Sequence, residues 1–297
     1  MTSLPDRSEL VAEAGRIISS GSRSFRFASR LFDRPTRERA WLLYAWCRAC
    51  DDLADGQVLG RGFHPGPDPA ERIATIRRLT AAALSGELTG ETPFDCLGVV
   101  AAECSIPDRF IGDHIEGFAL DADGWRPNDH DDLLLYCYRV AGAVGCMMAM
   151  VMGVRQDDED TLRRAADLGI AFQLANIARD IVEDEAMGRL YLPRTWLAEA
   201  GLDEENYCDR ANRPALAGLA QRLSTLSDVY QASARVGAAR LRGRSRWAVL
   251  SAANIYGDIA RRVVARGPAA WDSRTVVGKA AKLRHVGDAL MASLRKA

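Results

Sequence analysis

Sustained β-branched alternation is absent from this chain, and a sheet without it is not expected. An excess of one charge sign is absent too. The formal net charge of −1 leaves no global basic field, so no nucleic-acid partner is expected. The seven cysteines form no framework. Cys47 and Cys50 make a Cys-x-x-Cys inside a helical pattern with no second pair to match, which reads as reduced, buried thiols. The histidines, His64, His114, His130 and His285, lack metal-ligand spacing and receive no role. No Walker loop and no Gly-x-Gly-x-x-Gly occurs, so ATP and NAD sites find no support. The longest apolar run, Val140 to Val154, falls short of the roughly 20 residues a spanning helix needs. The polar start (Thr2, Ser3, Asp6, Arg7) lacks the apolar region of a signal peptide. A cytoplasmic protein is expected, with any membrane contact peripheral and at the inner face.

What the chain has is helical periodicity almost throughout, with abundant Ala, Leu and Arg. The pattern predicts helices at about 6–20, 23–33, 35–56, 69–87, 93–103, 107–121, 131–153, 157–186, 212–241 and 246–266. Ser105 reads as an N-cap with Pro107 near the first turn. Loops are expected at residues 60–69 and 123–129, where Gly, Pro, Asn and Asp gather. No linker divides the chain, so residues 1–297 are expected to form one all-α domain, a helical bundle around a central cavity.

Two acidic clusters stand out. In Asp51-Asp52-Leu53-Ala54-Asp55, helical geometry puts Asp51 and Asp55 on one face, with Asp52 about 100° away. Asn176, Asp180 and Asp184 repeat at intervals of four, with Gln173 one turn earlier and Arg179 beside the stripe. Both stripes lie among apolar residues, where unpaired carboxylates are costly. Hard oxygen donors without clustered His or Cys suit Mg²⁺, with Mn²⁺ as an alternative, and Mg²⁺ commonly also takes substrate phosphates. Asp51, Asp55, Asn176, Asp180 and Asp184 are therefore the candidate metal ligands. The structural alternatives are a solvated face for the first cluster and an ion-paired helix for the second.

Weaker signals surround these. In Gly21-Ser22-Arg23-Ser24-Phe25, Ser22 or Ser24 could cap a helix whose free amides bind phosphate, or be an ordinary cap. Arg48 could bridge a metal-bound phosphate or neutralise the aspartates. Small residues at 141, 142, 143 and 145, after Tyr136, suit either tight helix packing or the wall of an apolar tunnel. A Tyr136 ring near a diphosphate would suit a carbocation through cation–π attraction, with Tyr191 and Tyr256 as further candidates.

Five segments together resemble the squalene/phytoene synthase family, and within it the bacterial branch that makes phytoene. They are Gly21 to Phe25; Tyr44-Ala45-Trp46-Cys47-Arg48-Ala49-Cys50 running into Asp51 to Asp55; Tyr136 to Gly145; Phe172 to Asp184; and Gly188-Arg189-Leu190-Tyr191-Leu192-Pro193. The similarity runs from about 12 to 266, with the last thirty residues matching less clearly. The resemblance implies an all-α isoprenoid-synthase fold and metal binding by Asp51, Asp55, Asn176, Asp180 and Asp184. It implies substrate contacts from Ser22, Ser24, Tyr44, Arg48, Gln173 and Arg179, and cation-lining tyrosines at Tyr136 and Tyr256, with Tyr191 nearby. The implied reaction is a Mg²⁺-dependent head-to-head condensation of two geranylgeranyl diphosphates, through prephytoene diphosphate, to phytoene, in carotenoid biosynthesis. NADPH is not expected. Hand-over of the hydrocarbon to a membrane or a phytoene desaturase is. The alternatives are a C15-using relative making squalene, dehydrosqualene or presqualene diphosphate, and a catalytically dead assembly factor, whose signature would be lost aspartates.

Overall fold

The computed structural model describes residues 6–21, 28–56 and 68–294, and no strand occurs among them. The helices are α1 (Arg7–Gly21), α2 (Arg34–Asp55), α3 (Pro69–Leu84), α4 (Thr92–Cys104) and α5 (Asp108–Ala122). A long run follows: α6 (His130–Cys137), a π turn (Tyr138–Gly142) and α7 (Ala143–Val151). Then come α8 (Glu159–Ala186), α9 (Arg194–Glu199), α10 (Arg213–Ala238), α11 (Gly243–Arg266) and α12 (Lys279–Leu294).

Several starts are fixed by aspartate caps that accept backbone amides, which would otherwise lack intrahelical partners. Asp33 accepts from Thr36, Asp68 from Glu71, Asp129 from Asp131 and Asp132, and Asp158 from Thr161. Gly56, at φ 63°, closes α2 just past the acidic cluster in a left-handed conformation that glycine adopts at little cost. One apolar core joins α1, α2, α4, α5 and α7 around Trp46, Phe94 and Leu97. A second forms where α8 and α10 meet, around Leu174, Trp196 and Leu223.

The long run through the π turn lies against α8 with almost no side chain between the backbones. A Cβ on Gly169 would stand 2.1 Å from the Ala141 carbonyl oxygen, and one on Gly145 2.3 Å from that of Ala165. The small residues at 141–145 thus serve tight packing, while their neighbours Val140 and Val144 face a cavity.

Some expectations are corrected. Ser105 is not an N-cap: it ends α4 in the left-handed region (φ 53°), Ile106 closes back onto the Ala101 carbonyl, and Pro107 precedes α5. The single helix expected at 131–153 is interrupted by the π turn, and α9 and α12 were not anticipated. Pro69 opens α3, as the helix expected at 69–87 has it, and the helix ends three residues early at Leu84. The run His130–Val151 is, by length and composition, apolar enough to cross a membrane, which the shorter window Val140–Val154 did not reveal. Half of its apolar window is buried, against α5 and α8. Ser22, Ser24, His64 and residues 23–27 of the helix expected at 23–33 lie outside the described residues; of the rest, 28 and 29 are helical and 30–32 form a turn that leads to the Asp33 cap.

Candidate active site

α2, α5, the π-turn run and α8 enclose a cavity of about 610 Å³. From α2 come Tyr44, Cys47, Arg48 and Asp51. From α8 come Gln173, Asn176, Arg179, Asp180 and Asp184, so its polar stripe does share one face. α5 adds His114, Phe118 and Asp121, and the π-turn run adds Tyr136, Val140 and Val144. Arg189, Tyr191 and Arg274 complete the wall from the segments after α8 and α11.

Arginines hold most of the carboxylates. Arg48 pairs with Asp51 at 2.9 Å and with Asp52 at 2.6 Å. Arg179 Nε donates to Asp180 at 2.7 Å, and Arg274 bridges Asp180 (3.1 Å) and Glu183 (2.7 Å). Arg189 pairs with Asp55, linking the end of α2 to the chain that leaves α8. Asp121 accepts hydroxyl hydrogen bonds from Tyr136 (3.0 Å) and Tyr191 (2.9 Å). Those two rings stack at 4.7 Å, and Trp125 stacks on the far side of Tyr136 at 5.6 Å.

The pairing leaves the cavity short of positive charge. Burial, then repulsion from Asp180, raises the Asp184 carboxyl to about 7. Burial raises Asp51 to about 6, with Arg48 acting in the opposite direction. The Asp51 side chain is 45% open, and it opens into the cavity. Asp121 is raised too, chiefly by burial, against the pull of Arg189 and the two hydroxyls. Burial pushes the Tyr44 hydroxyl up to about 12 and the His114 imidazole down to about 4. Among the described residues no three His, Cys, Asp or Glu side chains gather into a ready-made cation cage. The donor set still fits Mg²⁺, which demands few protein carboxylates and completes its shell with water and substrate phosphate. Asp51, Asp180, Asp184 and Asn176 offer hard oxygens on two walls of one cavity, and Asp51 and Asp184 carry charge that the arginines do not fully offset.

The structure therefore gathers Tyr44, Arg48, Asp51, Tyr136, Gln173, Asn176, Arg179, Asp180, Asp184 and Tyr191 at one cavity, as the sequence reading expected. Two expected residues are not on the cavity wall itself. Asp55 sits beside it: its carboxylate pairs with Arg189, which lines the cavity, and its charge adds to the repulsion at Asp51. Tyr256 does not line it either: α11 sets its ring against Phe172 on the flank of α8, stacked at 4.0 Å. Asp121, Arg189, Arg274, His114 and Phe118 were missed. Asp121 had a signal, since it continues the buried spacing Phe110, His114, Gly117 along α5 and so falls on an apolar face. Arg189 and Arg274 lie outside helices, where periodicity gives no direction.

Residues 18–281 match the squalene/phytoene synthase family. Phytoene synthase of Pseudescherichia vulneris is 44% identical over 276 residues, covering 92% of this chain and 89% of that protein. The 15-cis-phytoene synthase of Pantoea ananas is 45% identical over 267 residues, covering 89% and 86%. The crystal structure of a dehydrosqualene synthase in complex with ligand superposes with a TM-score of 0.84 at 24% identity, covering 97% of each chain, and shares the isoprenoid-synthase helical fold. On the family match along most of its length and on these identities, the chain belongs to the squalene/phytoene synthase family.

Proposed function

We propose that the protein is a phytoene synthase, joining two geranylgeranyl diphosphates head to head in carotenoid biosynthesis. The observation that carries this reading is a single cavity that receives Asp51 from α2 and the Asn176, Asp180 and Asp184 stripe from α8, with a carboxylate-anchored tyrosine stack on its wall. It is supported by 42–46% identity to several bacterial phytoene synthases.

Mg²⁺ held by Asp51, Asn176, Asp180 and Asp184 would supply the positive charge that draws electrons from a departing diphosphate. Arg48, Arg179, Arg189 and Arg274 are placed to exchange carboxylate partners for diphosphate oxygens, each a charge-assisted contact. Departure of the first diphosphate leaves an allylic cation, which the second substrate's double bond attacks to give prephytoene diphosphate. A second ionisation, rearrangement and loss of one proton give phytoene and two free diphosphates. Tyr191, at the end of the Trp125–Tyr136–Tyr191 stack, has one ring face left for the cations, with Tyr136 held behind it, while Val140, Val144 and Phe118 keep water from them. The product is a long hydrocarbon, costing about 0.8 kcal/mol per CH₂ exposed to water, so hand-over to a membrane or a desaturase belongs to the same reading, as does a place on the cytoplasmic face of that membrane.

The test is to offer C15 and C20 allylic diphosphates, with and without NADPH and with and without a chelator, and to identify the hydrocarbon. Phytoene from the C20 substrate, without NADPH, abolished by chelation and restored by Mg²⁺ or Mn²⁺, is expected. A C30 product formed only from the C15 substrate would overturn the substrate assignment, and full turnover after exhaustive chelation the metal assignment.

A further inference from the structure

One buried base on the cavity wall has no part in the chemistry assigned so far. His114, on α5, is 4% exposed and lines the cavity. Its Nδ1 lies 3.3 Å from the Arg139 carbonyl oxygen, in the π turn. A carbonyl only accepts, so the neutral ring carries its hydrogen on Nδ1 and leaves a bare lone pair on Nε2. That Nε2 is buried and has no hydrogen-bond partner among the described residues. Trp46 and Phe118 meet the ring edge to face, at 5.5 Å and 4.7 Å between centroids, and with the hydrogen bond they fix its orientation. Burial keeps the imidazole neutral down to about 4, so the lone pair is available at neutral pH.

Leaving a buried acceptor unsatisfied is costly. A prenyl diphosphate offers no hydrogen-bond donor to relieve it. What this lone pair can take from such a substrate is a proton that leaves carbon. The carboxylates on the same wall are engaged: Asp51 and Asp180 with arginines, Asp121 with two tyrosyl hydroxyls. Asp121 lies two turns further along α5, about 10 Å, a separation that a C40 intermediate spans.

We infer that His114 Nε2 is the base that takes the proton in the last step of the condensation, an assignment that rests on the function proposed above. The C–H bond beside the final cation breaks, its electron pair becomes the new central double bond, and the proton forms an N–H bond on Nε2. The imidazolium then passes that proton to released diphosphate or water as the products leave, which restores the neutral ring. No oxidant or reductant takes part. A weak base suffices, because a C–H bond beside a cationic carbon is strongly acidic.

The experiment is product analysis with the C20 diphosphate and Mg²⁺. His114→Asn keeps an N–H for the Arg139 carbonyl but has no basic nitrogen. Its phytoene should fall by about tenfold or more, the scale of a lost general base. Prephytoene diphosphate and C40 alcohols, formed when water captures the cation, should appear in its place. His114→Ala should shift the products in the same way, and added imidazole should restore part of the phytoene, which a ring that only packs would not allow. Helical circular dichroism checks the fold of both, and His114→Asn carries the test where His114→Ala folds poorly. Phytoene from His114→Asn at the wild-type share of products overturns the proposal. So does a folded His114→Asn that leaves the substrate unconsumed, since His114 then only supports the π turn. A wild-type chain that accepts only the C15 diphosphate fails the substrate reading alone, and the same variants are then read on its C30 product. A wild-type chain that finishes with hydride from NADPH overturns the proposal, because no proton leaves in that step.

Discussion

At the scale of the single residue, the buried carboxylate Asp121 separates a structural from a chemical role. It takes two tyrosyl hydroxyls, so Asp121→Ala leaves two buried donors without an acceptor, each worth about 1–3 kcal/mol. A large loss of thermal stability is expected for that variant, with Asp121→Asn milder because an amide oxygen still accepts. A double-mutant cycle sharpens this: Tyr136→Phe should cost turnover in the wild-type background and much less beside Asp121→Asn. Additive effects would mean that the hydroxyl works without its carboxylate. Asp51→Asn and Asp184→Asn should each lower turnover by about a hundredfold or more, since each removes a hard anionic donor from the cavity wall. The ligand-free variants should melt no lower than wild type, because a repelling or desolvated charge goes with the mutation. Variants that unfold instead would make the aspartates structural. Asp184 was legible from its spacing to Asn176 and Asp180. Asp121 was not singled out, because a lone acid near a helix end reads as surface until the face it shares is known.

Among elements, the decisive contact is the seam between α8 and the π-turn run. Gly169→Ala and Gly145→Ala each drive a methyl into a carbonyl oxygen of the facing backbone, which cannot rotate away as a side chain would. Destabilisation of about 1–3 kcal/mol is expected, read as a drop in melting temperature. Turnover should fall with it, since Val140 and Val144 move with the same run. Gly218, with open space around its Cβ, is the control, and Gly218→Ala should be tolerated. The helical content and most helix spans were legible because apolar spacing and aspartate caps act locally. The π turn was not: it depends on how closely two backbones meet, and small residues signal closeness without the register it produces. Ser105 was read at the wrong helix end because its left-handed backbone is decided by the Ala101 carbonyl it turns back to satisfy. α12 escaped notice because its buried stripe is only His285, Val286 and Ala289.

For the whole molecule, the raised carboxyls make stability depend on pH. Asp184, near 7, and Asp51, near 6, bind protons in the folded chain at pH values where the unfolded chain, with aspartates near 3.8, has released them. Folded stability without ligand is therefore greatest when they are protonated and falls as pH rises through these values. His114 works in the opposite direction: neutral down to about 4 when folded, it costs stability as pH drops below the free value of 6.5. Between pH 6.5 and 8 the raised Asp184 carboxyl sets the sign of the slope, because the His114 contribution fades above its free value of 6.5. There the melting temperature of the metal-free protein should fall with rising pH, and saturating Mg²⁺ should flatten the slope. A slope that rises in this window, or one that Mg²⁺ leaves untouched, contradicts the assignment. The backbone seam has a further consequence for redesign. Where two main chains touch, there is no side-chain volume to trade, so a cavity meant for a longer or shorter prenyl tail cannot be resized from that side. A substitution library aimed at chain length should leave Gly142, Gly145 and Gly169 fixed. It should spend its diversity on Phe118, Val140 and Val144, where each methylene added or removed changes the room left for the tail.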